Sequence, residues 1–291
     1  MRPFIFLCIT GVASFQIQPW RHGNQPFVPP QYRTAGALDL LATASDDTST
    51  QSTETRRIPL NRLMQLASEA KSYDPAVRAA VVAEKLYAQD NLASVLNIWS
   101  TVSHKLQEWH MRQDVLLEGD TDDDDKRKVE DHPELKSVDL SEVHVYTARD
   151  AAVHAEALLG NATSSRAIRA TMECWRNSRD ETAPQHVEAL LERDDTPAGL
   201  QLLLDTYASS RNVPNRVETL EGLLAQAPEK TTRSYNSLLL VYSKMSNKMK
   251  DSLALLNELK ATYAKTQNPT QQPDLLTYSH GKYVNSTYQP I

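Results

Sequence analysis

The chain has 291 residues, 40% of them apolar and 23% charged, with a formal net charge of −6. That is enough apolar material for the core of one large or two modest domains. Four Phe and eight Gly are few for a β-sandwich or barrel, and two cysteines, Cys8 and Cys174, exclude a disulfide scaffold or a Cys-rich zinc site. Beyond the N-terminus no run of 18 apolar residues predicts a membrane span, so no membrane contact is expected of the mature form.

The first residues read as an address. Met1-Arg2-Pro3 is a short basic start, residues 4–12 are apolar, and the small pair Ala13-Ser14 precedes Phe15, the layout of a secretory signal peptide. Residues 15–38 contain Arg21, His22 and Arg33, four prolines and no acid, and Ser and Thr crowd into residues 43–55. An acid-free basic stretch leading into a hydroxyl-rich one has transit-peptide composition, so residues 1–57 are expected to be a disordered presequence. The two signals in series resemble the bipartite presequences of algae with secondary plastids, such as diatoms, which implies a plastid location. Ordinary secretion is the alternative, with Asn161-Ala162-Thr163 and Asn285-Ser286-Thr287 as glycan acceptors.

From Ile58 the pattern is amphipathic helices with short polar breaks. Leu60, Leu63, Met64, Leu66 and Ala67 fall at helical spacing, and Asp74-Pro75 opens a helix over residues 76–89. Helix pairs are predicted over 197–210 with 214–226, and over 234–243 with 250–265. The pairs repeat. Residues 200–207 align with 235–242 at an offset of 35, residues 168–175 align one unit earlier at 32, and Tyr278 matches Tyr235 at 43. Residues 92–99 fit the same frame, so a large aromatic recurs at Trp99, Trp175, Tyr207 and Tyr242. The second helices echo one another in Glu156-Ala157-Leu158-Leu159, Glu188-Ala189-Leu190-Leu191 and Glu221-Gly222-Leu223-Leu224. A single helical hairpin cannot bury its apolar face, whereas stacked hairpins bury one another's. The expected fold is therefore all-α, an α-solenoid over residues 58–291 with the aromatics as core wedges.

The repeat is interrupted. A helix over about 104–117 extends one unit, and residues 118–142 then hold 11 acids against 4 bases, including Asp122-Asp123-Asp124-Asp125. The composition predicts a solvated, disordered acidic loop. A calcium loop is disfavoured because its glycine and terminal Glu are missing. The loop accounts for the whole net charge.

The tetratricopeptide pattern lacks its Gly in every first helix. The C-terminal units instead resemble the pentatricopeptide repeat family. Arg233-Ser234-Tyr235-Asn236-Ser237-Leu238-Leu239 supplies the family's opening, and Pro273-Asp274-Leu275-Leu276-Thr277-Tyr278-Ser279 the closing and next opening. The match covers residues 232–279, and the units over 165–231 are degenerate versions of it. The resemblance implies binding of single-stranded organellar RNA, one base per hairpin, in RNA processing, stability or translation. The family's base-reading positions, the fifth and last of a unit, fall on Asn236 and Asp274, a combination that favours uracil. The preceding unit offers Gln201 and Thr231, and the one before it Arg169 and Thr196. Lys244, Lys248 and Lys250 are candidate phosphate contacts in a C-terminal part with 10 Lys and Arg against 7 Asp and Glu. The alternative is an adaptor that binds protein or peptide in its concave face.

No catalytic constellation stands out, and the chain is not expected to be an enzyme. It has no phosphate-binding glycine loop, no Gly-x-Ser-x-Gly and no His-Glu-x-x-His. Nor does anything resemble the zinc deaminase domain that RNA-editing members of the family carry. His104 and His110, six apart, are off the spacing for two ligands on one helix face, and Cys174 reads as a core residue. No cofactor or metal is expected.

Overall fold

The structure, a computed structural model, describes residues 58–117, 135, 140 and 143–286. Residues 1–57, where a presequence is expected and where Cys8 falls, lie outside them, as do most of the acidic segment and residues 287–291. Among the described residues the protein is all-helical. The helices are α1 (Leu60–Glu69), α2 (Tyr73–Leu117), α3 (Ala148–Leu159), α4 (Ser165–Ser178), α5 (Ala183–Leu191), α6 (Pro197–Ser209), α7 (Arg216–Gln226), α8 (Thr232–Tyr242), α9 (Met249–Thr266) and α10 (Leu275–Ser286).

Local chemistry sets the boundaries. Thr147 opens α3 with a capping box, its hydroxyl accepting from Asp150 N at 3.1 Å while the Asp150 carboxylate accepts from Thr147 N at 2.8 Å. Thr196 caps α6 and Thr231 caps α8 in the same way with single bonds, to Gly199 N at 3.1 Å and Ser234 N at 3.2 Å. The predicted break near residue 90 is a kink inside α2, where Asn91 leaves helical geometry with φ −138° and ψ 44°. The predicted start of α7 at Pro214 is corrected to Arg216, because Asn215 takes the left-handed conformation with φ 51° and delays the first turn. Asn tolerates that region better than most residues.

Packing follows a regular order. α2 packs on α4, α4 on α6, α6 on α8 and α8 on α10, so the even-numbered helices form one row. α3 packs on α2 and α4, α5 on α4 and α6, α7 on α6 and α8, and α9 on α8 and α10. Gly199, in the first turn of α6, fits because a Cβ there would stand 2.7 Å from Leu191 Cδ1 at the end of α5. The acidic segment is not solvated throughout, since Leu135 is 1% exposed and its carbonyl accepts from Arg78 of α2.

The recurring aromatics are all buried, and each carries a polar tether. Trp99 Nε1 donates to Glu84 Oε2 at 3.3 Å, and Trp175 Nε1 to Glu156 Oε2 at 2.7 Å. The Tyr207 hydroxyl donates to Glu188 Oε1 at 2.6 Å, and that of Tyr242 to Glu221 Oε1 at 2.5 Å. In every case the carboxylate comes from the helical segment preceding the aromatic's own: the first arm of α2, then α3, α5 and α7. An imidazole or ammonium completes three of the four. His154 lies 2.8 Å from Glu84 with its ring 4.5 Å from Trp99, and His186 lies 2.9 Å from Glu156 with its ring stacked on Trp175 at 3.8 Å. Lys248 lies 3.2 Å from Glu221 and 5.3 Å from the Tyr242 ring centre. A buried indole or phenol needs a partner for its N–H or O–H, and a half-exposed carboxylate supplies one without being fully desolvated. Burial first, then the Glu188 hydrogen bond and charge, raises the Tyr207 hydroxyl well above its ordinary range. Tyr242 rises likewise beside Glu221, and Tyr235, beside Glu258, is pushed up to about 12.

Candidate functional site

The row of even helices presents two adjoining open grooves that share Arg233. The first, about 540 Å³, has Ala170, Pro197 and Ala198 among its walls and is rimmed by Arg166, Arg169, Gln201, Thr231 and Ser234. The second, about 570 Å³, is bordered by His104, Arg176, Arg179, Asp205, Asn236, Asp274 and His280. Helical periodicity explains the shared face. Arg166, Arg169, Glu173 and Arg176 lie at three- and four-residue steps on α4, as do Ala198, Gln201, Asp205 and Ala208 on α6.

The structure joins Asn236 and Asp274 directly. Asn236, 6% exposed on α8, donates Nδ2 to Asp274 Oδ1 at 3.1 Å and Oδ2 at 3.3 Å. A carboxylate can only accept, so the amide nitrogen must face it. Asn236 Oδ1 has no hydrogen-bond partner. Asp274 is fixed in turn by α10, whose Thr277 donates its backbone N–H and its hydroxyl to Asp274 Oδ1, both at 2.7 Å. Burial would raise the Asp274 carboxyl, but the bonds from Thr277 and Asn236 outweigh it and hold it below the ordinary carboxylate range.

Gln201 and Thr231 meet only through Ser234. The Ser234 hydroxyl donates to Gln201 Oε1 at 2.8 Å and lies 2.9 Å from the Thr231 hydroxyl. Gln201 Nε2 donates to Asp205 at 2.8 Å, so both ends of its amide are engaged inside the protein. Thr196 is a helix cap, and Arg169 lies 3.8 Å from Asp194. The three lysines are not brought together. Lys248 is paired with Glu221 and, at 3.1 Å, with Asp251, whereas Lys250 is exposed on α9 and Lys244 follows α8 among arginines.

Cys174 is fully buried and its thiol points at the Leu96 carbonyl, 3.8 Å away, while burial pushes its ionisation well up. Sequence reading missed two features. One is the tethering glutamates, although Glu156, Glu188 and Glu221 hold one position in the second-helix echo. The other is Arg166 and Arg176 of α4, which with the already named Arg169 and with Glu173 stand at three- and four-residue steps and are visible as such in the sequence. No helix among the described residues is long and apolar enough to cross a membrane. No family model matches the chain, and no curated protein or solved structure does either.

Proposed function

We propose that the chain binds single-stranded RNA along the row of even helices, which act as the first helices of stacked hairpins in a short, partly degenerate pentatricopeptide-like α-solenoid. Asn236 reads a uracil, and Asp274 holds its amide in register. The observation that carries the reading is the Asn236–Asp274 bond. It commits the amide nitrogen to the carboxylate and leaves Oδ1 an unpaired acceptor, buried just beneath a groove edged by Arg176, Arg179 and Arg233, where a base must displace a neighbouring side chain to reach it. An acceptor beside one remaining N–H complements the N3–H and adjacent carbonyl of uracil. Arg179 supplies charge for the phosphates, and the guanidinium planes, including that of the Asp205-paired Arg233, supply faces for stacking.

The Gln201 amide is consumed internally, so among the described residues the Asn236–Asp274 pair, with its unpaired acceptor, is the better candidate of the two amide-bearing pairs. The protein then acts by occupying and presenting a short stretch of RNA, without chemistry of its own. The resemblance of residues 1–57 to bipartite algal presequences makes a plastid the proposed location, with the secretory pathway as the alternative. The test is ultraviolet crosslinking and sequencing of RNA bound to the chain in cells, which should recover short uridine-containing sites.

The adaptor reading has one observation in its favour. Leu275, Leu276 and Tyr278 of α10 are 86%, 51% and 41% exposed, an apolar surface that suits a protein contact. Recovery of a protein partner without RNA would favour it.

A further inference from the structure

Four positive charges meet where successive even helices end. α4 stops at Arg179, which takes the left-handed conformation with φ 53°. The Arg211 backbone N–H donates to the Arg179 carbonyl at 3.2 Å, pinning the α6–α7 connection against the end of α4. Arg216, the first residue of α7, reaches back to donate Nη1 to the Ser210 carbonyl at 2.8 Å. Lys244 follows α8 by two residues, and its ammonium is held below its ordinary range by burial first and then by the charges of Arg216, Arg179 and Arg211.

Among the described residues no carboxylate lies within ion-pairing distance of any of the four. Other cations nearby behave differently, since Arg169 pairs with Asp194, Arg233 with Asp205 and Lys248 with Glu221 and Asp251. A helix C-terminus attracts cations, which accounts for Arg179 and Lys244 one at a time. It does not account for Arg216, which stands at the positive N-terminal end of α7. Like charges gathered from three helix ends, with no counter-charge among the described residues, repel one another, and an anion relieves that repulsion.

The edge adjoins the base-reading groove. Arg179 borders the groove together with Asn236 and Asp274, and His280 in the same groove lies within the field of both Asp274 and Lys244. We infer that Arg179, Arg211, Arg216 and Lys244 form the phosphate-binding edge of the RNA site, and that Lys248 and Lys250 take no part in it. This inference rests on the RNA-binding reading and names the path of the strand's backbone beside the Asn236 base position. Lys248 is excluded because its charge is already neutralised by two carboxylates. Backbone contacts of this kind set affinity and its salt dependence without reading sequence.

The test has two arms, both on the full chain. The first measures oligouridylate binding against salt for the unaltered chain, for Arg211→Gln with Lys244→Gln, and for Lys248→Gln with Lys250→Gln. Each lost phosphate contact removes about 0.7 from the log–log salt slope of a single strand. The first variant should therefore flatten the slope by about 1.4 and lose on the order of tenfold in affinity at low salt, and the second should match the unaltered chain. A slope unchanged in the first variant overturns the inference while leaving the RNA reading intact. The second arm acetylates surface lysines with and without inorganic pyrophosphate and reads each site by mass spectrometry. Protection of Lys244 with Lys250 unprotected supports the edge, even if no RNA binds and the RNA reading itself fails. Equal modification of the two with and without pyrophosphate overturns it.

Discussion

Asn236 and Asp274 stand 38 residues apart in the chain, yet their side chains are hydrogen-bonded, and the bond leaves Asn236 Oδ1 buried without a partner. An orphaned buried acceptor costs roughly 1–3 kcal/mol. Asn236→Leu should therefore leave stability unchanged or raise it by about 1 kcal/mol, because the Asp274 carboxylate so released is exposed and can turn to water. The same substitution should abolish any preference for uridine. Thermal unfolding and oligonucleotide binding on one preparation check both halves.

Asp274 also caps α10, so its ionisation couples the site to the helix. Its folded-state pKa is depressed, which means its contribution is present above the unfolded value, roughly pH 4, and is lost as pH falls through the folded one. Asp274→Asn should weaken protection of α10 amides at neutral pH and make no difference under strongly acid conditions. Hydrogen exchange of residues in α10 at the two pH values reads this directly.

The tethered aromatics make a separate prediction about stability. Trp175→Ala removes a fully buried indole and should cost about 3–5 kcal/mol, whereas Glu156→Gln, which keeps an acceptor for Trp175 Nε1, should cost about 1 kcal/mol or less. Denaturant titrations of the two variants rank them.

The phenols beside glutamates should resist ionisation. The pKa values of Tyr207, Tyr235 and Tyr242 are raised, so their contribution is complete below the ordinary phenol value and is lost as pH climbs through the folded values. In an alkaline absorbance titration Tyr207, Tyr235 and Tyr242 should be among the tyrosines that ionise late or only on unfolding. Replacing Glu188 and Glu221 by Ala should move two of them earlier.

Gly199 is expected to tolerate no side chain cheaply. Alanine there gains roughly 1 kcal/mol of helix propensity but sets a Cβ 2.7 Å from Leu191 Cδ1 and 3.0 Å from the Asp194 carbonyl oxygen. The second neighbour is backbone and cannot rotate away. Gly199→Ala should lower stability by about 1–3 kcal/mol, measured by thermal unfolding.

Much of the helical framework was legible because period and punctuation agreed. Thr196-Pro197 and Thr231 mark helix starts by capping chemistry, and the starts of α6 and α8 fall within two residues of the expected ones. The aromatics at Trp99, Trp175, Tyr207 and Tyr242 were placed in the core by their recurrence alone, and all four are buried. The start of α7 was misplaced because Pro214 is a good helix opener and nothing local announces the left-handed Asn215. Leu135 was hidden in a run of charge, and its burial is a tertiary event that composition does not record. Asn236 and Asp274 were named together only through the pentatricopeptide resemblance, and their hydrogen bond is what the structure adds. The commitment of the Gln201 amide to Asp205 and Ser234 was not legible, because it depends on how two helices sit side by side.

The account turns on whether the groove beside Asn236 selects a base. The most direct measurement is equilibrium binding of the full chain to short oligouridylate, oligocytidylate and oligoadenylate at one salt concentration, repeated with Asp274→Ser. Tighter binding to oligouridylate, with a preference that falls about fivefold to tenfold in the variant while general affinity persists, is the predicted result. Equal binding to all three, unchanged by the substitution, or no binding to any, contradicts it.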